Sequence, residues 1–276
     1  MHAWLCWWIK YRPAFDLYTY REKMVTRFVL ISDTHTHTPE LPEGDILLHA
    51  GDLTNTGSLK ETTHALEWLA GQAKRFRFVV LCAGNHDWFL YHLGREKGVH
   101  AVKNFVSNFA PNIVYLEDEL VTLPISSRTM FADTVTIYGS PAQPTFCNWA
   151  FNYNRGPQIK AVWDKIPSRN RLLGIDILMT HGPAHHMLDW VGKDRVGCED
   201  LRDALDRIQP KVHLFGHIHA AWGKGVIMYA DSAIRTQCYN AALVGEDYQL
   251  TPKHKPWVLD YDGKNFTEVC HENSHL

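Results

Sequence analysis

From Thr26 onward, short apolar runs alternate with clusters of glycine and polar residues. Phe28-Val29-Leu30-Ile31 closes on Ser32-Asp33. Asp45 to Ala50 closes on Gly51-Asp52, and Phe78 to Cys82 closes on Gly84-Asn85-His86-Asp87. Short apolar runs bounded in this way predict buried strands. Between the second and third, Leu59 to Ala73 places Leu59, Ala65, Leu66, Leu69, Ala70 and Ala73 mostly on one stripe, which predicts a helix. The order strand, loop, strand, helix, strand is that of an α/β sheet.

The rhythm continues downstream. Val99, Val102, Phe105, Val106 and Phe109 form a second helical stripe, stopped before Pro111. Val135 to Gly139 reads as a strand. Pro157 opens a helix whose stripe is Ile159, Val162, Trp163 and Ile166. Ile175 to Thr180 is a strand ending at His181-Gly182-Pro183. Leu201, Ala204, Leu205 and Ile208 mark a helix ended by Pro210, and Val212 to Phe215 is a strand ending in Gly216-His217-Ile218-His219. Val226 to Ala230 reads as a strand and Trp257 to Asp260 as an edge strand. No repeat or low-complexity linker interrupts the series, so residues 27–276 read as one domain. Residues 1–26 read as an N-terminal arm or as a product of start-codon choice.

Composition sharpens this. Hydrophobic residues make up 45% and charged residues 21% of the 276, which excludes a disordered chain. With 28 basic and 30 acidic residues the net charge is −2, so neither a basic face for polymeric nucleic acid nor a polybasic membrane signal is expected. The strongly apolar run Ala3 to Ile9 falls short of the ~20 residues that span a bilayer. It has no basic residue before it and no small-residue cleavage site after it, so it is a poor secretion signal. Cys6, Cys82, Cys147, Cys198, Cys238 and Cys270 form no C-x-x-C pair, which fits a reduced, cytoplasmic location. The 17 histidines either scatter over the surface or bind metal, and position decides between these.

Position favours metal. Asp33 and His35, Asp52, Asn85 and His86, His181, and His217 and His219 each follow a predicted strand. Carboxyl ends of strands form the ligand crevice of open α/β sheets. Seven ligand-type side chains from five strand ends (Asp33, His35, Asp52, Asn85, His181, His217 and His219) exceed the needs of one four-coordinate zinc. They suit two ions sharing a bridging carboxylate. Carboxylate, carboxamide and imidazole donors without thiolate suit Mn, Fe or Zn.

The five motifs, D-x-H, G-D, G-N-H-D, H and G-H-x-H in order, resemble those of the calcineurin-like metallophosphoesterases from Phe28 to about Trp222. Thr180-His181-Gly182-Pro183, Phe215 to His219, and Trp149-Ala150-Phe151-Asn152 followed by Arg155-Gly156 resemble its MPPED-type subgroup. The resemblance implies a four-layer α/β/β/α sandwich with the metals at the strand ends. It implies that Asp33, His35 and His219 hold one ion, that Asn85, His181 and His217 hold the other, and that Asp52 bridges them. A metal-bridging hydroxide would attack phosphorus, with His86 as general acid and Asp87 orienting its ring.

Other residues are open. Asn55 would position His86, contact a phosphate oxygen or simply form its turn. Trp149, Phe151 and Tyr153 would stack on a planar ring or fill the core, and Arg155 would pair with phosphate. His37 reads as outlying, His185 and His186 as pocket-mouth or surface residues, and His49 and His213 as satisfied core histidines. The expected activity is phosphoester hydrolysis, of a diester rather than a monoester, on a nucleotide-like or other small organic phosphate. Two alternatives stand beside it: a two-metal Lewis-acid enzyme of a biosynthetic pathway with a non-phosphate substrate, and a non-catalytic nucleotide-binding protein. The expected partner is this small-molecule substrate, with a homo-oligomer left open.

Overall fold

The computed structural model describes residues 25–125, 134–170, 174–230 and 232–269. Residues 1–24, most of the expected arm 1–26 and with Cys6 among them, and residues 270–276, with Cys270, lie outside the described residues. Twelve strands form two six-stranded sheets. In chain order they are β1 (Thr26–Ile31), β2 (Ile46–His49), β3 (Phe78–Leu81), β4 (Ile113–Tyr115), β5 (Glu119–Pro124) and β6 (Thr134–Ser140), then β7 (Ile177–Thr180), β8 (Val212–Phe215), β9 (Gly223–Met228), β10 (Arg235–Asn240), β11 (Trp257–Tyr261) and β12 (Phe266–Glu268). The first sheet runs β12-β11-β1-β2-β3-β4 and the second β9-β10-β8-β7-β6-β5. Helices α1 (Leu59–Gln72), α2 (Trp88–Lys97) and α3 (Val99–Ser107) belong to the first half, α4 (Pro157–Trp163) and α5 (Glu199–Ile208) to the second.

Alternation within each strand builds the layers. Phe28, Leu30, Ile46, Leu48 and Val80 turn inward and meet Val135, Ile137, Ile177, Met179, Val212 and Leu214 of the other sheet. Their neighbours Val29, Ile31, Leu47, Val79 and Leu81 turn outward onto Ala65, Leu66 and Leu69 of α1, Leu90 of α2, and Val102 and Val106 of α3. On the far side Tyr138, Leu178, Phe215 and Cys238 pack on α4 and α5 through Ile159, Trp163, Leu201 and Leu205. A strand buried on both faces has no polar side to show, so these runs read as continuous apolar stretches. The result is the expected four-layer α/β/β/α sandwich.

α2, β4, β5, β10 and β12 escape the apolar pattern, and β11 sits in its sheet otherwise than expected. α2 buries only Leu90 completely and so carries no long stripe. β10 reads Arg-Thr-Gln-Cys-Tyr-Asn, with Arg235 exposed and Gln237 half-buried, and its two buried polar members have partners: Thr236 Oγ1 donates to the Pro210 carbonyl and Asn240 Nδ2 to the Ile218 carbonyl. Trp257 to Tyr261 is not an edge strand, because β12 pairs outside it.

Strand direction places the site. β1, β2 and β3 run parallel side by side, as do β7 and β8, so their carboxyl ends lie together within each sheet. The segment after β10 ties the two ends to each other. Ala241 N donates to the Phe215 carbonyl of the second sheet, while Ser32 N donates to Ala241 and Leu243 N to Ser32 in the first.

His49, the last residue of β2, and His213, inside β8, are core residues. His49 Nε2 donates to Thr34 Oγ1 at 3.0 Å and its Nδ1 accepts from Gly51 N at 3.2 Å. His213 differs from the expectation of full satisfaction. Its Nε2 contacts Thr180 Oγ1 at 2.8 Å, but its Nδ1 has no partner. Burial therefore pushes His213 down to about 3, since the second proton would point at nothing. Burial also lowers His49, to about 4, against the pull of Asp33 and Asp52. Below the unfolded pKa of ~6.5 the unfolded chain takes protons that the fold refuses, so stability falls with falling pH by about 1.4 kcal/mol per pH unit for each such histidine. We expect His213→Gln to flatten the loss of urea stability between pH 6.5 and 4.5 in the metal-free protein. An unchanged slope would show that His213 takes no part.

Candidate metal centre

The seven predicted ligands come together. His181 Nε2 lies 2.9 Å from Asn85 Oδ1 and 3.2 Å from Asp52 Oδ2. His219 Nε2 lies 3.2 Å from Asp33 Oδ1 and 3.3 Å from His35 Nε2. His35 Nε2 stands 3.8 Å from Asp52 Oδ2, which thus faces both groups. His217 offers a ring nitrogen to the Asp52 and His181 group. Three overlapping sets of possible ligand atoms result: Asp33, His35 and His219; His35, Asp52 and His86; and Asp52, His181 and His217.

The backbone sets the tautomers. His35 Nδ1 donates to the Thr54 carbonyl at 3.0 Å, His181 Nδ1 to Ala50 at 3.0 Å and His219 Nδ1 to Gly245 at 3.1 Å. A carbonyl only accepts, so each Nδ1 carries the hydrogen and each Nε2 turns a lone pair inward. Inward, these lone pairs meet other acceptors: a carboxamide oxygen, carboxylates and each other. Acceptors facing acceptors at 2.9 to 3.3 Å repel unless a cation or a proton lies among them. This donor set fits a divalent transition metal.

Without metal, protons take that role. Burial lowers His181, but the Asp52 carboxylate outweighs it and raises the imidazole to about 9. His219 is also raised, because Asp33 overcomes its burial, whereas burial dominates at His35 and lowers it. Burial lowers His217 too, to about 4, with the neighbouring His181 adding to the effect. Burial works to raise Asp33 and Asp52, yet His219 and His181 hold both far below the usual carboxylate range.

Closely placed backbone makes the geometry possible. Asp33, His35, Asp52 and His217 have φ of 50°, 42°, 54° and 68°, the left-handed region that costs non-glycine residues energy. A Cβ on Gly216 would sit 1.8 Å from Asp33 Oδ2, and one on Gly84 would sit 2.3 Å from Asp52 Oδ1. These two glycines of the motifs are spaces for ligands.

His86 stands beside the ligands. Its N–H donates to Asp52 Oδ1 at 2.7 Å, and its Nδ1 donates to the Asn55 carbonyl at 2.5 Å. The Trp149 ring lies against it, centroids 4.1 Å apart. Asp87 does not orient this ring. Its buried carboxylate accepts from the N–H groups of Leu53, Thr54 and Gly84 and from Thr54 Oγ1, tying two ligand loops together. Burial and then the Asp52 charge raise Asp87 to about 7.

The expected substrate contacts divide. A cavity of about 420 Å³ opens on Asp52, Asn85, His86, His217 and His219, and Trp149 and Arg155 line it. Phe151 does not: it is 4% exposed and packs edge-on against Tyr91 in the outer core. Asn55 turns its side chain away, donating to the His35 carbonyl at 3.2 Å, and acts on His86 through its backbone. Arg155 is engaged already, by the carbonyls of Val196 and Gly197 and the Glu199 carboxylate. His185 and His186 are not among the lining residues. His37 Nε2 donates to the Tyr248 carbonyl at 2.9 Å and so holds the loop that carries Tyr248.

Tyr248 and Phe146 went unnoticed in the sequence. The Tyr248 ring stands 4.8 Å from His35 and 5.2 Å from His219, and Phe146 stands 6.3 Å from His217. Neither follows an apolar run that the pattern identifies. The one available signal was Gly245, whose turn receives His219 Nδ1.

Residues 26–221 match the family pattern described as calcineurin-like phosphoesterase. The chain is 37% identical over 254 residues to the human "Metallophosphoesterase domain-containing protein 1", covering 85% of this chain and 71% of that protein. In fold it is similar to the phosphopantetheinyl hydrolase PptH of Mycobacterium tuberculosis, with TM-score 0.51 at 16% identity, over 90% of this chain and 97% of that one. It is also similar to TT1561 of Thermus thermophilus, with TM-score 0.54 at 12% identity, over 89% and 98%.

Asp87→Ala would strand three buried N–H groups. We expect it to cost at least ~3 kcal/mol of stability in urea unfolding, on the scale of one to three kcal/mol per unsatisfied group. A loss below ~1 kcal/mol would refute its role as a tie.

Proposed function

Because the chain belongs to the calcineurin-like phosphoesterase family, whose members are metal-dependent phosphoric ester hydrolases, we propose that it hydrolyses a small organic phosphodiester with two transition-metal ions, Mn, Fe or Zn. The observation that carries this is the inward-facing set of fixed lone pairs around Asp52, with His86 beside it. Asp33, His35 and His219 would hold one ion, and Asn85, His181 and His217 the other, with Asp52 shared. When bound, such a pair supplies Lewis acidity and a water acidic enough to attack phosphorus.

The chain's own residues do the rest. Asn55 occupies His86 Nδ1, so Nε2 is the nitrogen available to give a proton to a leaving oxygen. Trp149 packs against the ring, tilted at 32°, and helps hold it in place. The preference for a diester is supported by charge. Among the described residues, Arg155 is the one lysine or arginine lining the cavity, and its guanidinium is committed to Val196, Gly197 and Glu199. A monoester dianion would meet no spare cation there beyond the metals. A cytoplasmic location is supported by the free cysteines Cys82, Cys147, Cys198 and Cys238. Among the described residues no helix is long and apolar enough to cross a membrane.

Two measurements test this. Elemental analysis after Mn²⁺ loading should find about two ions per chain, almost none in Asp52→Ala and about one in His219→Ala. One ion in the unaltered protein would refute the shared-carboxylate reading. His86→Ala should slow an alkyl-leaving diester ~10²–10⁴-fold and a p-nitrophenyl diester far less, at unchanged metal content. Equal losses on the two esters would mean that His86 donates no proton.

A further inference from the structure

Three aromatic rings stand around the clustered histidines, Tyr248 touching three of them, His35, His86 and His219. Trp149 lies on His86 at 4.1 Å, Tyr248 lies 5.2 Å from His219, and Phe146 lies 6.3 Å from His217. Trp149 has given one face to His86. The other two are open: Phe146 is 57% and Tyr248 41% exposed, although they border a buried cluster of carboxylates and imidazoles. Val191, in the short strand Trp190–Val191 that pairs with Asp194–Arg195, also lines the cavity and is 48% exposed. Large apolar side chains left open around a polar centre mark a binding surface.

Charge at this mouth is lopsided. Arg155 is pinned to the segment Val196–Glu199, so it shapes the wall and offers no free cation. Glu246, two residues from Tyr248 on the same loop, lines the cavity and is exposed. A carboxylate there repels a second anionic group on a ligand whose phosphate sits among the histidines, and repulsion of this kind is a means of specificity.

We propose that the site selects for the organic arm of its substrate: an uncharged planar or apolar group received by Phe146 and Tyr248, with Glu246 turning away arms that carry a further negative charge. This rests on the phosphoester reading above and adds to it a rule for the part of the substrate that is not phosphate. The backbone supports Tyr248 in this role. Its carbonyl accepts from His37, and the same loop presents the Gly245 carbonyl to His219, so the ring is held in register with a metal ligand.

The test uses the metal-loaded protein and three p-nitrophenyl diesters that share a leaving group and differ in the other arm: methyl, phenyl and 4-carboxyphenyl. Hydrolysis of any of them tests the phosphoesterase reading, and the ratios among them test the selectivity. The expected kcat/KM for phenyl exceeds that for methyl at least tenfold, since a buried ring is worth more than ~1.4 kcal/mol. Phe146→Ala and Tyr248→Ala each bring the ratio toward one, while Tyr248→Phe keeps it. The carboxyphenyl ester is the poorer of the two aryl substrates, and Glu246→Gln narrows that gap by about fivefold, the effect of one surface charge. A phenyl-to-methyl ratio near one, or a gap indifferent to Glu246→Gln, overturns the proposal. If no ester turns over, calorimetric binding of phenyl and methyl esters of methylphosphonate decides the selectivity by the same ratio, while the phosphoesterase reading fails separately.

Discussion

Everything at the centre of this fold depends on one carboxylate, that of Asp52. It sits at the carboxyl end of β2, the strand between β1 and β3, where both neighbours also deliver ligands. One oxygen is fixed by the His86 N–H, and the other faces His181 from the opposite sheet and His35 from its own. A buried carboxylate is costly unless compensated. Here the compensation comes from both sheets at once, so the sheets must meet with their strand ends level.

That requirement explains features that look unrelated. The segment Ala241–Leu243 bonds to both sheets and holds the two ends level. Asp87, denied contact with the His86 ring, ties the Gly51–Thr54 turn to the Gly84–Asp87 turn with its carboxylate. The ligand-type histidines are held by the carbonyls of Ala50 and Thr54, both on the loop after β2, and of Gly245, on the loop after β10. The strained left-handed residues are tolerated because hydrogen bonds on every side leave them no alternative. The resulting rigidity keeps fixed lone pairs facing one another, which water would otherwise separate.

The aromatic rings are placed by the same loops. Trp149 and Phe146 follow β6 and Tyr248 follows β10, so the rings that border the cavity are carried by loops that also bond to the clustered residues, Ala150 N donating to the Asn85 carbonyl and the Gly245 carbonyl accepting from His219. Changes in these loops alter both what the site holds and what it admits.

The pattern of apolar runs was enough to predict both sheets' central strands, helix α1 and the five strand ends whose Asp, Asn and His side chains come together, because a strand buried on both faces must be apolar and its polar successor then stands out. The order of Asp33, Asp52, Asn85, His181 and His217 along the chain was legible for that reason. Three kinds of fact were not. β10 is polar in sequence, and only its partners Pro210 and Ile218 make its burial tolerable. Phe151 and Trp149 look alike along the chain, but the turn of the loop sends one into the core against Tyr91 and the other onto His86. Tyr248 and the commitment of Arg155 depend on residues more than 40 positions away in the chain, Gly197 and Glu199 for Arg155 and His37 for Tyr248. The identity of a ligand is a local property, set by side-chain chemistry at a strand end. The partner that orients it, and the ring that faces it, are chosen by loops that meet only once the two sheets have packed.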